Sequence, residues 1–367
     1  LSRPAKVLIA AVLVLIAVTI FCVGVLFVVS GGQPADFIQT ALIRVRLAGR
    51  TADLNRSIGS DTTPVRFTID PGSTPRVIAN DLYTARLILD PDLFVDYVRA
   101  NDIDVELEAG TYFLNRAQSL AEIANALTDS RSSQFLFRIL EGWRMEEIAE
   151  VIDNNPYFGF SGSDFLAVVG SNALLDPAFV AYADIPTGAS LEGFLFPDTY
   201  QLPAQVTPIM LRDILTQQFI QQVGTQLSAE ASAEGLSLYE SVTLASIIQR
   251  EAVHSDEHPR IASVYRNRLG DGMRLEADPT VQYPIGRAGD WWPQITQAEY
   301  TGVVSPYNTY LNFGLPPGPI ASPGISAIRA AVRPEETPYY FFRANCNGTG
   351  YHTFAITFEE HLANECR

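Results

Sequence analysis

Leu244-Ala-Ser-Ile-Ile-Gln-Arg-Glu251 is an apolar run that closes on a carboxylate. At roughly 100° per residue, Leu244, Ile247, Ile248 and Glu251 fall on one helical face, so the spacing predicts a helix whose apolar stripe carries a single charge. Burial disfavours the ionised carboxyl, and the negative end of the helix dipole acts in the same direction. Both raise the pKa of Glu251. A carboxyl that keeps its proton near neutrality suits general acid catalysis. The octapeptide alone also fits an amphipathic helix whose last Glu swings out to water. The surrounding segments have to decide between the two.

The chain has 367 residues, enough for two or three domains, and a formal net charge of -16. That acidity argues against nucleic acid or an anionic lipid surface as the main partner. Val7 to Val29 holds no charged residue and is long enough to cross a bilayer as a helix. Arg3 and Lys6 ahead of it favour a cytoplasmic N-terminus (residues 1-6), with the chain beyond the 7-29 span outside the cell membrane. Arg44, Arg46, Arg50 and Arg56 weigh the other way; the outward orientation is retained. A cleaved signal peptide would have a shorter apolar region. Cys22 lies in the span, whereas Cys346 and Cys366 could pair in an oxidising compartment. The cysteines and the four histidines lack metal-ligand spacing, so no zinc is expected.

Residues 30-64 are polar and weakly periodic and read as a stalk. From Val65 a strand, turn and short helix recur at Phe67, Tyr112 and Phe137, with Ser119 and Glu122 spaced as a capping box. Modules of this kind resemble the LysM fold, which binds aminosugar polymers, although any small α+β domain contains such units. Residues 65-153 are the LysM-like region, with Trp143 and Tyr112 as binding candidates or core. Residues 154-188 read as a connecting segment and 189-367 as the catalytic domain, for an α+β fold overall. In Leu191-Glu-Gly-Phe-Leu-Phe-Pro-Asp-Thr-Tyr200, Glu192 and Asp198 either cap turns around Pro197 or line a cleft. A helix is predicted over Pro208 to Val223, another from Ser237, and a third over Arg260 to Leu269. Arg274 to Tyr283 reads as a compact polar segment. Ser305 to Gly324 is a Pro-, Gly-, Asn- and Tyr-rich loop in which Tyr307, Asn308 and Tyr310 offer groups to a sugar or to the loop's own backbone.

Leu191 to Tyr200, Leu244 to Glu251, Asp278-Pro-Thr-Val281, Ser305-Pro-Tyr-Asn-Thr-Tyr310, Gly314-Leu-Pro-Pro-Gly-Pro-Ile-Ala-Ser-Pro-Gly324 and His352-Thr-Phe354 together resemble, in order and spacing, the endolytic murein transglycosylases of the MltG (YceG-like) family. The resemblance implies a single-pass membrane protein that cuts peptidoglycan glycan strands internally, with Glu251 as catalytic acid. It implies no metal or cofactor. Tyr307, Asn308 and Tyr310 would position the glycan, with Glu192, Asp198, Asp278 and Thr280 as further candidates. Penicillin-binding proteins and other elongation enzymes are the partners it suggests. Two positions depart from the family pattern: Gln249 stands where another acid is common, and Pro284 follows Tyr283. Two other classes stand beside this one. A true hydrolase would need a second acid near Glu251, Glu276 or Asp278; a non-catalytic wall-binding scaffold would tolerate loss of Glu251.

Overall fold

The computed structural model describes residues 3 to 365 apart from Ser30 and Gly32. It divides into two units, residues 1-133 and 134-367. The first begins with α1 (Arg3–Val29), whose stretch Val12–Val29 is long and apolar enough to cross a membrane and is not buried against the protein. Next comes α2 (Pro34–Ala48), a helix where a stalk was expected. Its Ile43 and Leu47 are buried in the same core as Leu93, Phe94 and Val98, so the segment is part of the folded unit. The scattered arginines that obscure its periodicity are engaged at the surface: Arg46 pairs with Asp96 and Arg44 donates to the Ala100 carbonyl.

Beyond it the order is β1 (Val65–Ile69), α3 (Pro75–Thr84), α4 (Pro91–Ala100), β2 (Gly110–Leu114) and α5 (Leu120–Ala126). β1 and β2 pair antiparallel, Phe67 opposite Tyr112. The Ser119–Glu122 capping box forms as the spacing requires. Tyr112, a candidate for sugar binding, is instead core: it is 1% exposed, and its hydroxyl donates to the carbonyls of Glu108 and Leu127.

The third strand, β3 (Gln134–Arg138), belongs to the second unit, where it pairs antiparallel with β4 (Thr199–Pro203). The boundary therefore precedes the expected one at residue 153. It also separates the third strand–turn–helix repeat from the first two, because its partner strand lies more than sixty residues downstream of it. α6 (Met145–Asp153) follows, and later α7 (Pro208–Ala233). α7 is broken at Gly224, which adopts a positive φ of 67° one residue past the predicted end at Val223.

The centre of this unit is α8 (Leu238–Glu251), capped by a Ser237–Glu240 box. Every residue from Ser241 to Ile248 is buried, so the helix is enclosed on all sides rather than along one stripe. Two of its buried hydroxyls are engaged, Thr243 Oγ1 donating to the Tyr239 carbonyl and Ser246 Oγ to that of Thr243, while Ser241 Oγ is buried without a partner among the described residues. Around it stand α9 (His258–Gly270), α10 (Asp278–Ile285) and α11 (Ile325–Val332). α10 forms within the segment read as compact and polar; Pro279 at its start leaves no helical donor unmet. A hairpin of β5 (Phe341–Ala344) and β6 (His352–Ala355) completes the unit. Cys346 is disulfide-bonded and Cys22 is free; Cys366, the expected partner of Cys346, lies outside the described residues.

Candidate active site

Glu251 is the last residue of α8 and is half-buried. Tyr265, on the facing turn of α9, donates a 2.7 Å hydrogen bond to Glu251 Oε1. Oε2 makes no hydrogen bond among the described residues. Desolvation pushes the Glu251 pKa up to about 7, and the negative charge of Asp278 adds to the rise; the Tyr265 bond, Arg250 and Arg268 act against it. A site that keeps a carboxyl about half protonated at neutrality, with one oxygen fixed and the other open, meets the geometric and electrostatic needs of a general acid.

Tyr265 itself was invisible in the sequence reading. It lies fourteen residues downstream of Glu251, inside a helix that looked ordinary, and is 2% exposed. Behind it Phe342 packs edge-on at 5.7 Å and His352 packs on Phe342 at 5.3 Å. His352 Nδ1 lies 2.9 Å from the buried Glu257 carboxylate, so the His352-Thr-Phe354 motif braces the acid's neighbour from behind.

α10 connects this centre to a second one. Asp278, its first residue, accepts 2.6 Å from the Tyr310 hydroxyl, and Tyr310 stacks on Tyr300 with centroids 4.2 Å apart. Five residues on, a rise of about 7.5 Å, the Tyr283 hydroxyl reaches Glu192 Oε2 at 3.5 Å. Glu192 is 2% exposed and receives the Met145 backbone N–H on both oxygens at 3.2 Å. Burial and the nearby Glu146 charge push its pKa up to about 8. The adjoining Gly193, at φ 86°, has no room for a side chain: a Cβ there would strike Pro319 and Val242. Tyr307 is partly buried, its ring 4.8 Å from that of Tyr283.

The remaining expected contacts face inward. Asn308 is fully buried; its amide donates to the Tyr300 and Val303 carbonyls and its oxygen accepts from Tyr310 N. Thr280, equally buried, bonds to the Ala277 carbonyl and to Thr309 Oγ1. Both shape the loop, which replaces the glycan contact expected of them. Asp198 is exposed and accepts from Thr199 N and from Gln218, the turn role rather than the cleft role. Glu276 is exposed and paired with Arg268 at 3.1 Å. Gln249 Oε1 accepts from Gly324 N, and Ser246 Oγ from Ile320 N, so α8 carries the Pro-rich segment along one edge. Trp143 is partly exposed, its carbonyl accepting from Ser322 N.

Two tryptophans that sequence reasoning passed over complete the surroundings. Trp291 Nε1 donates to Glu150 at 2.8 Å and Trp292 Nε1 to Glu147 at 3.1 Å, pinning their loop to α6. Arg144 lies over the rings of Tyr283, Trp291 and Trp292, and Arg250 over Trp292 at 3.9 Å. The adjacent Trp-Trp pair was the available signal. A cleft of about 870 Å³ opens at the opposite end of α8 between Tyr239, Arg266 and Pro317 and does not include Glu251. Its acids are engaged, Glu240 in the α8 cap and Glu234 with Arg266, so volume and chemistry do not coincide here.

Fold and site define an α+β protein whose enclosed central helix delivers a desolvated carboxyl among tyrosines and arginines. The sequence profile of the YceG-like family matches residues 67–367, and the chain belongs to that family. It is similar to the endolytic murein transglycosylase of Bacillus subtilis, at 32% identity over 311 residues that cover 82% of this chain and 83% of that protein. The endolytic murein transglycosylase of Streptococcus pneumoniae is 28% identical over 318 residues, 81% of this chain; the match spans 57% of that longer relative. The 2.6 Å crystal structure of a putative YceG-like protein from Listeria monocytogenes superposes with a TM-score of 0.53 at 30% identity, covering 83% of this chain and 100% of that one.

Proposed function

We propose that the chain is an endolytic murein transglycosylase in which Glu251 does the proton chemistry. The reading rests on one observation above the others: a half-buried glutamate at the end of a buried helix, with its pKa near 7 and one oxygen unengaged. Protonated Glu251 gives its proton to the oxygen linking N-acetylmuramic acid to N-acetylglucosamine, and the bond to C1 of the muramic sugar breaks. The resulting carboxylate takes the proton of the C6 hydroxyl as that oxygen closes on C1. A 1,6-anhydro end forms, no water is consumed, and Glu251 is protonated again. Tyr307, Tyr310 and Asp278 line the approach, while Glu192 braces the wall behind Tyr283.

The α1 span anchors the chain in the cell membrane with the catalytic unit on the extracytoplasmic side, where the substrate is. The β1–α3–α4–β2 order of the first unit supports its reading as a LysM-like module. Penicillin-binding proteins and other elongation enzymes are the neighbours this role implies. A hydrolytic muramidase is the second reading, favoured by Asp278, which is near enough to raise the Glu251 pKa.

Product mass separates the two. The unsubstituted protein on purified peptidoglycan should release anhydro-ended fragments, lighter by one water than reducing-end products. Glu251→Gln should cut that release by about 10³-fold. Reducing ends from the parent, or parental rates from the Gln variant, would refute the assignment.

A further inference from the structure

Three arginines surround the centre, and two of them are used up by the fold. Arg268 Nε donates to the Tyr340 carbonyl and its Nη1 to those of Arg274 and Leu275, with the Glu276 carboxylate at 3.1 Å. Arg144 pairs with Glu146 at 3.2 Å and donates to the Tyr283 carbonyl at 2.8 Å. Arg250, the residue before Glu251, differs. Its Nε is buried without a hydrogen-bond partner, and Nη1 reaches only the Gly142 carbonyl, at 3.5 Å. Among the described residues it forms no ion pair. The Glu147 carboxylate beside it already accepts from Trp292 Nε1 and from Arg144 N on one oxygen. The charges of Glu147 and Glu251 favour the guanidinium from nearby, yet among the described residues neither closes a salt bridge with it. A partly desolvated guanidinium held over the Trp292 ring and short of acceptors is an arrangement that a bound anion completes.

We propose that Arg250 is the anion contact of the substrate site, receiving a carboxylate carried by the glycan strand beside the bond that Glu251 protonates. This rests on the transglycosylase reading above and adds to it a specificity residue. The chemistry has two sources in peptidoglycan: the lactyl carboxylate of muramic acid freed of its peptide, or a carboxylate of the peptide stem. A planar, pre-oriented guanidinium suits either, because it can present two parallel donors.

The test compares the full-length protein with Arg250→Gln and Arg250→Lys on three soluble strand preparations. One keeps its stems, one is stripped by an amidase, and one is stripped and then has its lactyl carboxylates converted to methylamides. If the lactyl group is read, Arg250→Gln loses about 10- to 100-fold in kcat/KM on stripped strands, carried by KM. It then stays within about twofold on the methylamide strands. If a stem is read, the loss falls on stem-bearing strands alone. Arg250→Lys recovers part of the loss, since charge returns without the fork. Equal losses on all three preparations, or no loss on any, overturn the proposal. Failure of the underlying reading would appear in the unsubstituted protein, as absent anhydro ends.

Discussion

The two desolvated carboxyls of the catalytic unit, Glu251 and Glu192, share a cause and differ in everything that matters to a substrate. Burial raises both pKa values, to about 7 and about 8. Glu192 is closed in, with a backbone N–H across both oxygens and a tyrosine hydroxyl behind it. Glu251 is held by one hydrogen bond on one oxygen and keeps some exposure. A raised pKa therefore marks a carboxyl taken out of water and does not by itself mark a proton donor. Access and an unengaged oxygen make that distinction.

The widest expected gap is in turnover. Glu251→Gln should lose about 10³-fold in anhydro-end release, while Glu192→Gln, which replaces a largely protonated acid by a neutral isostere, should stay within about fivefold at pH 7. Comparable losses would erase the contrast. Tyr265→Phe comes next, with a fall of about tenfold in kcat/KM. The Tyr265 bond favours the ionised carboxyl, so its removal should also move the alkaline limb of the pH profile upward. Asp278→Asn removes a like charge and should move that limb downward. Limbs that stay in place in both variants would show that Glu251 does not set them.

The smallest effect is thermodynamic. The pKa of Glu192 is raised in the folded state, so its contribution to stability is fully present below its unfolded value of 4.5 and is lost as pH rises through about 8. Across pH 5 to 8, denaturant unfolding of Glu192→Gln should lack a decline of about 1–3 kcal/mol seen in the parent. A parental slope in the variant would mean that Glu192 ionises in the fold as it does in the unfolded chain.

Local chemistry was readable. The Ser119–Glu122 box, the helix start at Ser237, the break after Val223 and the position of Glu251 in a last helical turn all depend on residues within a few positions of one another. What stayed hidden depends on distant partners. Tyr265 matters only because α9 folds back onto α8; Asn308 and Thr280 look like ligand contacts until the loop closes around them. Residues 34 to 48 read as stalk because the apolar surface they cover lies about fifty residues away, on α4. The division of the chain was misplaced for the same reason, since β3 finds its partner at Thr199 to Pro203. The full enclosure of α8 was also missed, because three of its buried residues are serine or threonine; the hydroxyls of Thr243 and Ser246 are satisfied by the helix itself and the Pro-rich segment, while that of Ser241 is buried without a partner among the described residues.

The most direct test of the account is the pH dependence of kcat/KM for anhydro-end formation on soluble glycan strands. With Glu251 required in its protonated form, the rate should hold on the acid side of about pH 7 and fall about tenfold per pH unit well above it. A rate that stayed flat from about pH 5 to 9, or rose across that range, would contradict a general acid at this position.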